Sequence, residues 1–343
     1  MSNRNIYLCF MNLVTGGTGL VGAHLLLHLL QKGEKVRALF RSEKSIQKTR
    51  NLFNQLNHSD LFYQIEWLPG NVNDIPSLEL AFENIDYVYH CAALISFDGV
   101  EEENLRKINI EGTANMVNCS LAFGVKKFCY VSSIAALGDL KENETVITEE
   151  TEWNPEKPHS DYALSKFGAE MEIWRAEQEG LHCVIVNPGV ILGIGFWDSG
   201  SGEIFTKVKK GIPFYTKGST GFVCVEDVVM VMHQLMKSDI SGERFTLISE
   251  NIIFKELIFW IAEGIKIKKP TMLAKPWMTS IAWRLDWFFS TVFFQKRRFS
   301  RATAKSLHTT DMYSNEKIKN RLNYEFQPIQ EVVKKVSFDF LKK

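Results

Sequence analysis

The chain has no Cys-x-x-Cys pair: its six cysteines, Cys9, Cys91, Cys119, Cys129, Cys183 and Cys224, are scattered and mostly lie within apolar segments. Reduced, buried thiols are therefore expected, in a reducing and hence cytoplasmic compartment, and no bound metal is expected. It also has no excess of one charge. Its 40 Lys and Arg balance its 40 Asp and Glu, which removes any general bias toward nucleic acid while leaving local patches open. No nucleic-acid partner is expected. We find no internal repeat and no low-complexity linker. The opening residues Met1 to Asn5 lead into too few apolar residues for a secretory signal, so secretion is not implied. The aromatic run from Trp277 to Phe294 is interrupted by Arg284 and Asp286 and is barely long enough for a bilayer, which argues against a transmembrane helix.

What is present is enough for a sizeable core: 343 residues, 45% of them apolar, fit one large or two modest domains. Apolar runs at Lys35–Phe40, Gln64–Leu68, Tyr87–Ala92, Lys127–Val131 and His182–Asn187 alternate with helical patterns. Such alternation predicts an α/β fold, a doubly wound parallel sheet with helices on both faces. Beyond Pro188 the pattern turns irregular, with Gly193, Gly195, Gly200, Gly202, Gly211, Gly218 and Gly221 in loops. We therefore place a dinucleotide-binding domain at 1–188 and a smaller, mainly substrate-binding part at 189–343, which could return one strand or helix to the first. Because Met11 directly precedes the first strand core, residues 1–10 read as an upstream extension or a misassigned start.

The most specific local feature is Thr15-Gly16-Gly17-Thr18-Gly19-Leu20-Val21-Gly22, which follows a short apolar run and opens an apolar-periodic stretch, Leu20 to Leu30. The spacing satisfies both T-G-x-x-G-x-x-G and G-x-G-x-x-G. Glycine would let the chain turn at Gly16 and Gly17, approach a pyrophosphate at Gly19 and pack helix near strand at Gly22. The helix N-terminus would then offer free N–H groups and its positive dipole end to phosphates. A Gly-rich run alone also fits an ordinary loop; its place between strand and helix points to a dinucleotide.

A second feature can move a proton. Tyr162 and Lys166 are four apart in a stretch that reads as helix, so they share a face. A phenol titrates near ~10, and an adjacent ammonium lowers that value, which would fit Tyr162 for acid/base work at a carbonyl or alcohol oxygen. Ser133, following the apolar strand Phe128–Val131, could hydrogen-bond the same oxygen. Y-x-x-x-K alone also occurs on purely structural helices.

With these residues in hand, the chain resembles the extended short-chain dehydrogenase/reductase family, also called the NAD-dependent epimerase/dehydratase family. The resemblance covers most of the chain. It runs through Thr15 to Gly22, Val88-Tyr89-His90-Cys91-Ala92-Ala93, Asn109-Ile110-Glu111-Gly112-Thr113-Ala114-Asn115, Tyr130-Val131-Ser132-Ser133, Tyr162 to Lys166, and Asn187-Pro188-Gly189-Val190-Ile191-Leu192-Gly193. The resemblance implies a Rossmann-type fold with Ser133, Tyr162 and Lys166 as catalytic residues and Lys166 also reaching the nicotinamide ribose. Ser132 then serves as a neighbouring support, and Asn109 shapes the adjacent helix or is structural. The implied cofactor contacts are Gly16, Thr18, Gly19, Leu20, Val21, Arg41, Asn71, Val72, Ala92, Tyr162, Lys166 and Pro188.

Cofactor choice is read at the end of the second strand, where NAD-selective members place an acidic residue on the ribose. Here the sequence is Val36-Arg37-Ala38-Leu39-Phe40-Arg41-Ser42, with no carboxylate. Arg41 could pair with a 2′-phosphate, assisted by Ser42 or Lys44, so NADP is favoured over NAD. The alternative is that Arg41 is a solvated loop charge. Asn71 and Val72 stand where the family usually has Asp and an apolar residue against adenine. Asn187 and Val190 occupy the places where sugar-nucleotide members carry Arg and Asn, so the segment looks more like the dihydroflavonol reductase and 3β-hydroxysteroid dehydrogenase branches. Reduction of a ketone or aldehyde on a small or apolar substrate, or the reverse oxidation, is the favoured expectation. A nucleotide-sugar epimerase or dehydratase with tightly held NAD and a non-enzymatic redox sensor remain open beside it. For Trp277 to Phe294, followed by Gln295-Lys296-Arg297-Arg298 and Arg301, the favoured reading is a helix packing its aromatic face on the substrate part. The alternatives are an apolar lid and an interfacial helix in peripheral contact with a membrane. The stretch from Tyr313 to Pro328 reads as a structural closing helix and turn. By resemblance alone, a homodimer would pair through helices flanking Tyr162.

Overall fold

The computed structural model describes residues 10–293, 297 and 299–343. Cys9, Phe294, Gln295, Lys296, Arg298 and the readings placed on residues 1–9 lie outside them. The strands are β1 Met11–Thr15, β2 Lys35–Phe40, β3 Glu66–Pro69, β4 Tyr87–His90, β5 Lys127–Val131, β6 Cys183–Pro188, β7 Val190–Leu192, β8 Phe214–Tyr215, β9 Ser219–Cys224, β10 Glu243–Leu247, β11 Glu250–Ile253 and β12 Met272–Leu273. Seven of them form one parallel sheet in the order β10-β6-β5-β4-β1-β2-β3. The expected α/β class and doubly wound parallel sheet are what the chain forms.

Alternation along each strand divides the core. Leu13, Phe128, Tyr130, Cys183 and Ile185 face one side, against Met116, Val117, Ala169 and Ile173. Val14, Cys129, Val131, Val184 and Val186 face the other, against Leu25, Leu26, Val228 and Met232. Successive side chains point to opposite faces and both faces are covered, which is why these strands read as unbroken apolar runs. Strand ends differ slightly from expectation for local reasons. β4 stops at His90 because the Cys91 N–H bonds the Thr15 carbonyl at 3.3 Å and the Ala92 N–H the Thr15 side chain at 3.1 Å. β6 runs on to Pro188, whose partner is Leu247.

The strand order reverses between β1 and β4, opening a crevice at the carboxyl ends of the strands. Beyond Pro188, β7, β9 and β11 make a small mixed sheet. It shares a third core, including Phe222, Leu257, Ile261, Val333 and Phe340, with the helices Phe254–Gly264 and Ile329–Leu341. In the closing stretch, the Tyr324 hydroxyl donates to Asp227 Oδ1 at 2.9 Å and the Gln327 N–H to Asp227 Oδ2 at 3.0 Å. These bonds fasten it to the helix Val225–Lys237.

The aromatic helix departs from the favoured expectation. In Pro276–Val292 the buried residues are Thr279 and Ser290, while Trp277, Ile281, Leu285, Phe288, Phe289 and Val292 are exposed. Polar bonds set its facing: Thr279 Oγ1 lies 2.8 Å from His308 Nε2, and Asp286 Oδ2 accepts from the Phe299 N–H at 3.2 Å. Among the described residues no helix is long and apolar enough to cross a membrane. Their five cysteines are free.

Candidate active site

The Gly-rich turn joins β1 to the helix Leu20–Gln31. Gly16 has φ +71°, and a Cβ there would stand 2.7 Å from the Ala92 nitrogen; a side chain is excluded by both conformation and space. Gly22 packs on the turn itself, since its Cβ would lie 2.2 Å from the Gly16 carbonyl oxygen. Gly17 lies in the turn outside the left-handed region, where a Cβ would meet Leu26 Cδ1 at 2.8 Å; one detail is corrected, since Gly22 meets the turn rather than the strand. Gly19 is different, because a Cβ there would approach only the Gly16 oxygen, at 3.4 Å. Thr18, Gly19, Leu20 and Val21 are partly exposed around that opening. Gly19 begins the helix with no side-chain cap and no acidic residue in the first turn, so its N–H groups and positive dipole end remain available to an anion. The turn has the shape and the donors for a dinucleotide pyrophosphate.

Behind the turn lies a buried polar relay. The Ala92 N–H donates to Thr15 Oγ1, which lies 2.7 Å from His90 Nδ1; His90 Nε2 is 3.0 Å from Thr113 Oγ1, which donates to the Asn109 carbonyl at 2.6 Å. Since Thr113 spends its proton on Asn109, His90 must donate from Nε2 and accept at Nδ1. Burial, reinforced by the Lys166 charge, pushes His90 down to about 3, so it stays neutral. The Asn109 side chain exchanges bonds of 2.7 and 3.0 Å with the Leu94 backbone and donates to Ser165 Oγ at 2.9 Å. It ties the loop after β4 to the helix Asp161–Gln178.

That helix starts at Ser160, whose side chain accepts from the Ala163 N–H at 3.2 Å, and its first turn carries Tyr162. The Tyr162 ring is buried, with Phe97 edge-on at 5.4 Å. Burial pushes its hydroxyl up to about 12, and a hydrogen bond with Ser133 draws it partly back. Lys166 is also buried, and its ammonium donates to the Tyr130 hydroxyl at 3.0 Å and the Val131 carbonyl at 2.8 Å. The expectation that Lys166 acidifies Tyr162 is thus not what these contacts do. A buried ammonium needs acceptors, and β5 supplies them. Desolvation lowers Lys166 to about 8, opposed by the nearby Glu170 and Cys91.

Sequence reasoning passed over Glu170, one turn beyond Lys166 and fully buried. It accepts from Ser132 Oγ at 2.5 Å, Asn187 Nδ2 at 2.6 Å and Arg244 Nη1 at 3.1 Å. Asn187 also donates to the Ser133 carbonyl at 3.0 Å, and Arg244 Nε to the Glu149 carbonyl at 3.0 Å. One carboxylate therefore fixes the ends of β5 and β6, with β10, around Ser133. Burial raises its pKa against the pull of Ser132 and Arg244. The available signal was an acidic residue four positions after Lys166 on a face that the helix buries. Ser132 is committed to this network, whereas Ser133 is partly exposed and faces Tyr162.

The other expected contacts lie along the same carboxyl edge. Arg41, just past β2, is exposed and has no ion pair or hydrogen bond among the described residues. Ser42 and Lys44 are exposed beside it. Asn71 uses its side-chain oxygen locally, accepting from the Asn73 N–H at 3.2 Å. Val72 is buried against Gly112, where a Cβ would come within 2.6 Å of Val72 Cγ2, and its carbonyl accepts from Asn115 Nδ2 at 3.0 Å. Ala92 adjoins Gly16, and Pro188 ends β6.

Residues 12–247 match the profile of the NAD dependent epimerase/dehydratase family. A dihydroflavonol 4-reductase-like protein of Synechocystis sp. is 31% identical over 285 residues, 80% of this chain and 78% of its own length. Sterol demethylase protein B of Methylococcus capsulatus is 29% identical over 268 residues, 77% of each chain. The crystal structure of UDP-glucose 4-epimerase from Thermotoga maritima, solved with UDP-glucose, superposes with a TM-score of 0.76 at 20% identity, covering 97% of this chain and 99% of that one. At that identity the likeness is one of fold.

Proposed function

The chain belongs to the NAD-dependent epimerase/dehydratase family, as a nicotinamide-dinucleotide-dependent enzyme of the extended short-chain dehydrogenase/reductase type, and within it we propose an NADPH-dependent reductase of an apolar ketone or aldehyde. The observation that carries the reading is the placement of Tyr162: buried in the first turn of its helix under the Phe97 ring, its hydroxyl is paired with Ser133, and burial keeps it protonated at neutral pH. A protonated phenol facing the site is a general acid for a carbonyl oxygen that becomes an alcohol.

The bound dinucleotide supplies the hydride. The remaining steps fall to residues of this chain. Gly16 and Gly19 would admit the pyrophosphate to the N-terminus of Leu20–Gln31, with Thr18, Leu20 and Val21 around it. Val72 and Ala92 would line the nucleoside path, and Pro188 the nicotinamide side. Ser133 Oγ would orient the substrate oxygen while the Tyr162 hydroxyl donates its proton to that oxygen. Lys166, positioned by Tyr130 and the Val131 carbonyl, would bind the nicotinamide ribose.

NADP is favoured by Arg41, a guanidinium without a partner among the described residues, at a strand end that has no carboxylate. Reduction is supported by a relative named for dihydroflavonol reduction, and an apolar substrate by one named for sterol demethylation. The test is fluorescence titration of the purified protein with NADPH and NADH. One charge-assisted contact to the 2′-phosphate is worth about 1.5–3 kcal/mol, so Arg41→Ala should weaken NADPH about 10- to 150-fold and leave NADH nearly unchanged. NADH preference in the wild type, or NAD released on denaturation, would instead favour an epimerase or dehydratase.

A further inference from the structure

The helix Pro276–Val292 is inverted for a surface helix. Trp277, Ile281, Leu285, Phe288 and Val292 recur at intervals of three and four residues along one face, with Phe289 beside them, and each is about half exposed or more. A surface helix normally buries such a stripe; here Thr279 and Ser290 are buried instead. A half-exposed aromatic leaves on the order of 100 Å² of apolar surface in water. The whole stripe therefore exceeds the few hundred Å² that monomers usually expose.

Cations accompany the stripe. Arg284 sits at its edge, bonded to Ser280 and packed over the Trp283 ring at 4.7 Å. Alongside runs a groove of about 360 Å³ lined by Thr279, Ser280, Trp283, Arg301, Lys305 and His308. Arg284, Arg301 and Lys305 are exposed, while the helix's one carboxylate, Asp286, is half-buried against Phe299. Asp311, half-buried, offsets part of the Lys305 charge. The segment after the helix is tied to the site: Arg297 Nη1 lies 3.7 Å from Asp98 Oδ1, whose sequence neighbours Ile95, Phe97 and Val100 are exposed, and Phe97 packs on Tyr162.

We infer that this face docks the protein on an anionic phospholipid bilayer. The stripe enters the boundary between headgroups and acyl chains, and Arg284, Arg301 and Lys305 meet lipid phosphates. A second copy presenting the same face would cover the stripe but would set like charges against Arg284, Arg301 and Lys305. An anionic bilayer supplies both phases. The helix lies in the interface plane, since Arg284 and Asp286 oppose crossing. One consequence rests on the reductase reading above: an apolar carbonyl compound would reach Tyr162 directly from the lipid.

The test is flotation of the full-length protein with phosphatidylcholine vesicles, with and without phosphatidylglycerol, at low and high salt. Wild type should float with the anionic vesicles at low salt. Phe288→Glu should weaken binding about tenfold or more, and Arg284→Gln and Arg301→Gln about fivefold each, on anionic vesicles only. Circular dichroism and NADPH titration of the variants should match wild type, which separates this outcome from failure of the reductase reading. Wild type remaining unfloated with both vesicle types would overturn the inference. So would sedimentation showing a dimer that Phe288→Glu splits.

Discussion

Removing the Glu170 carboxylate should loosen the frame around Ser133 by a calculable amount. In Glu170→Ala the Ser132 hydroxyl loses its acceptor, Asn187 Nδ2 keeps only the Ser133 carbonyl, and Arg244 keeps only the Glu149 carbonyl. Hydrogen bonds to a charged group are worth about 1.5–3 kcal/mol each, but the carboxylate's own burial is costly, as its raised pKa records. The balance matches the about 3–5 kcal/mol typical of breaking a buried ion pair from one side. Glu170→Gln keeps an acceptor oxygen and should cost about half as much. Urea unfolding followed by far-ultraviolet circular dichroism at neutral pH measures both. Reductase activity should fall with stability in Glu170→Ala, since Asn187 holds the Ser133 backbone. A loss under about 1 kcal/mol for the alanine variant would refute the network as a structural tie, as would equal losses for both variants.

Two more perturbations probe Glu34 and Gly22. Burial would raise Glu34, but hydrogen bonds from His233 and Lys237 outweigh it and hold the carboxyl at about 2. Its contribution is therefore complete above the unfolded pKa and is lost as pH falls toward 2; up to about 3 kcal/mol should disappear over that range in wild type and be missing in Glu34→Gln, read from unfolding at a series of pH values. Gly22→Ala would place a Cβ 2.2 Å from the Gly16 oxygen; the displaced turn should weaken dinucleotide binding by about tenfold or more, with stability reduced by about 1–3 kcal/mol, measured by titration and thermal melting.

The sheet was legible because its strands are parallel and the central ones are covered on both faces, so Leu13 and Val14, or Phe128 and Cys129, are buried alike and read as one run. The turn was legible because the positive φ of Gly16 and the contact of Gly22 with the Gly16 carbonyl are local demands. Less legible was anything set by distant partners. The acceptor of Lys166 lies on β5, in Tyr130 and Val131, and spacing along the helix could not reveal it. Glu170 went unnoticed because its three donors come from Ser132 just past β5, from β6 and from β10. The aromatic helix was misjudged for a physical reason. Periodicity finds an apolar face but not its direction, and here Thr279 and Asp286 bond inward to His308 and Phe299.

In the proposed reaction Tyr162 protonates a substrate carbonyl in an NADPH-dependent reduction. The most direct measurement is NADPH consumption over a panel of apolar aldehydes and ketones, comparing wild type with Tyr162→Phe. Loss of the general acid should slow turnover about 10²- to 10⁴-fold, with NADPH affinity changed by less than about twofold. Undiminished turnover in Tyr162→Phe would contradict the claim, as would a wild type that oxidises no NADPH and releases NAD on denaturation.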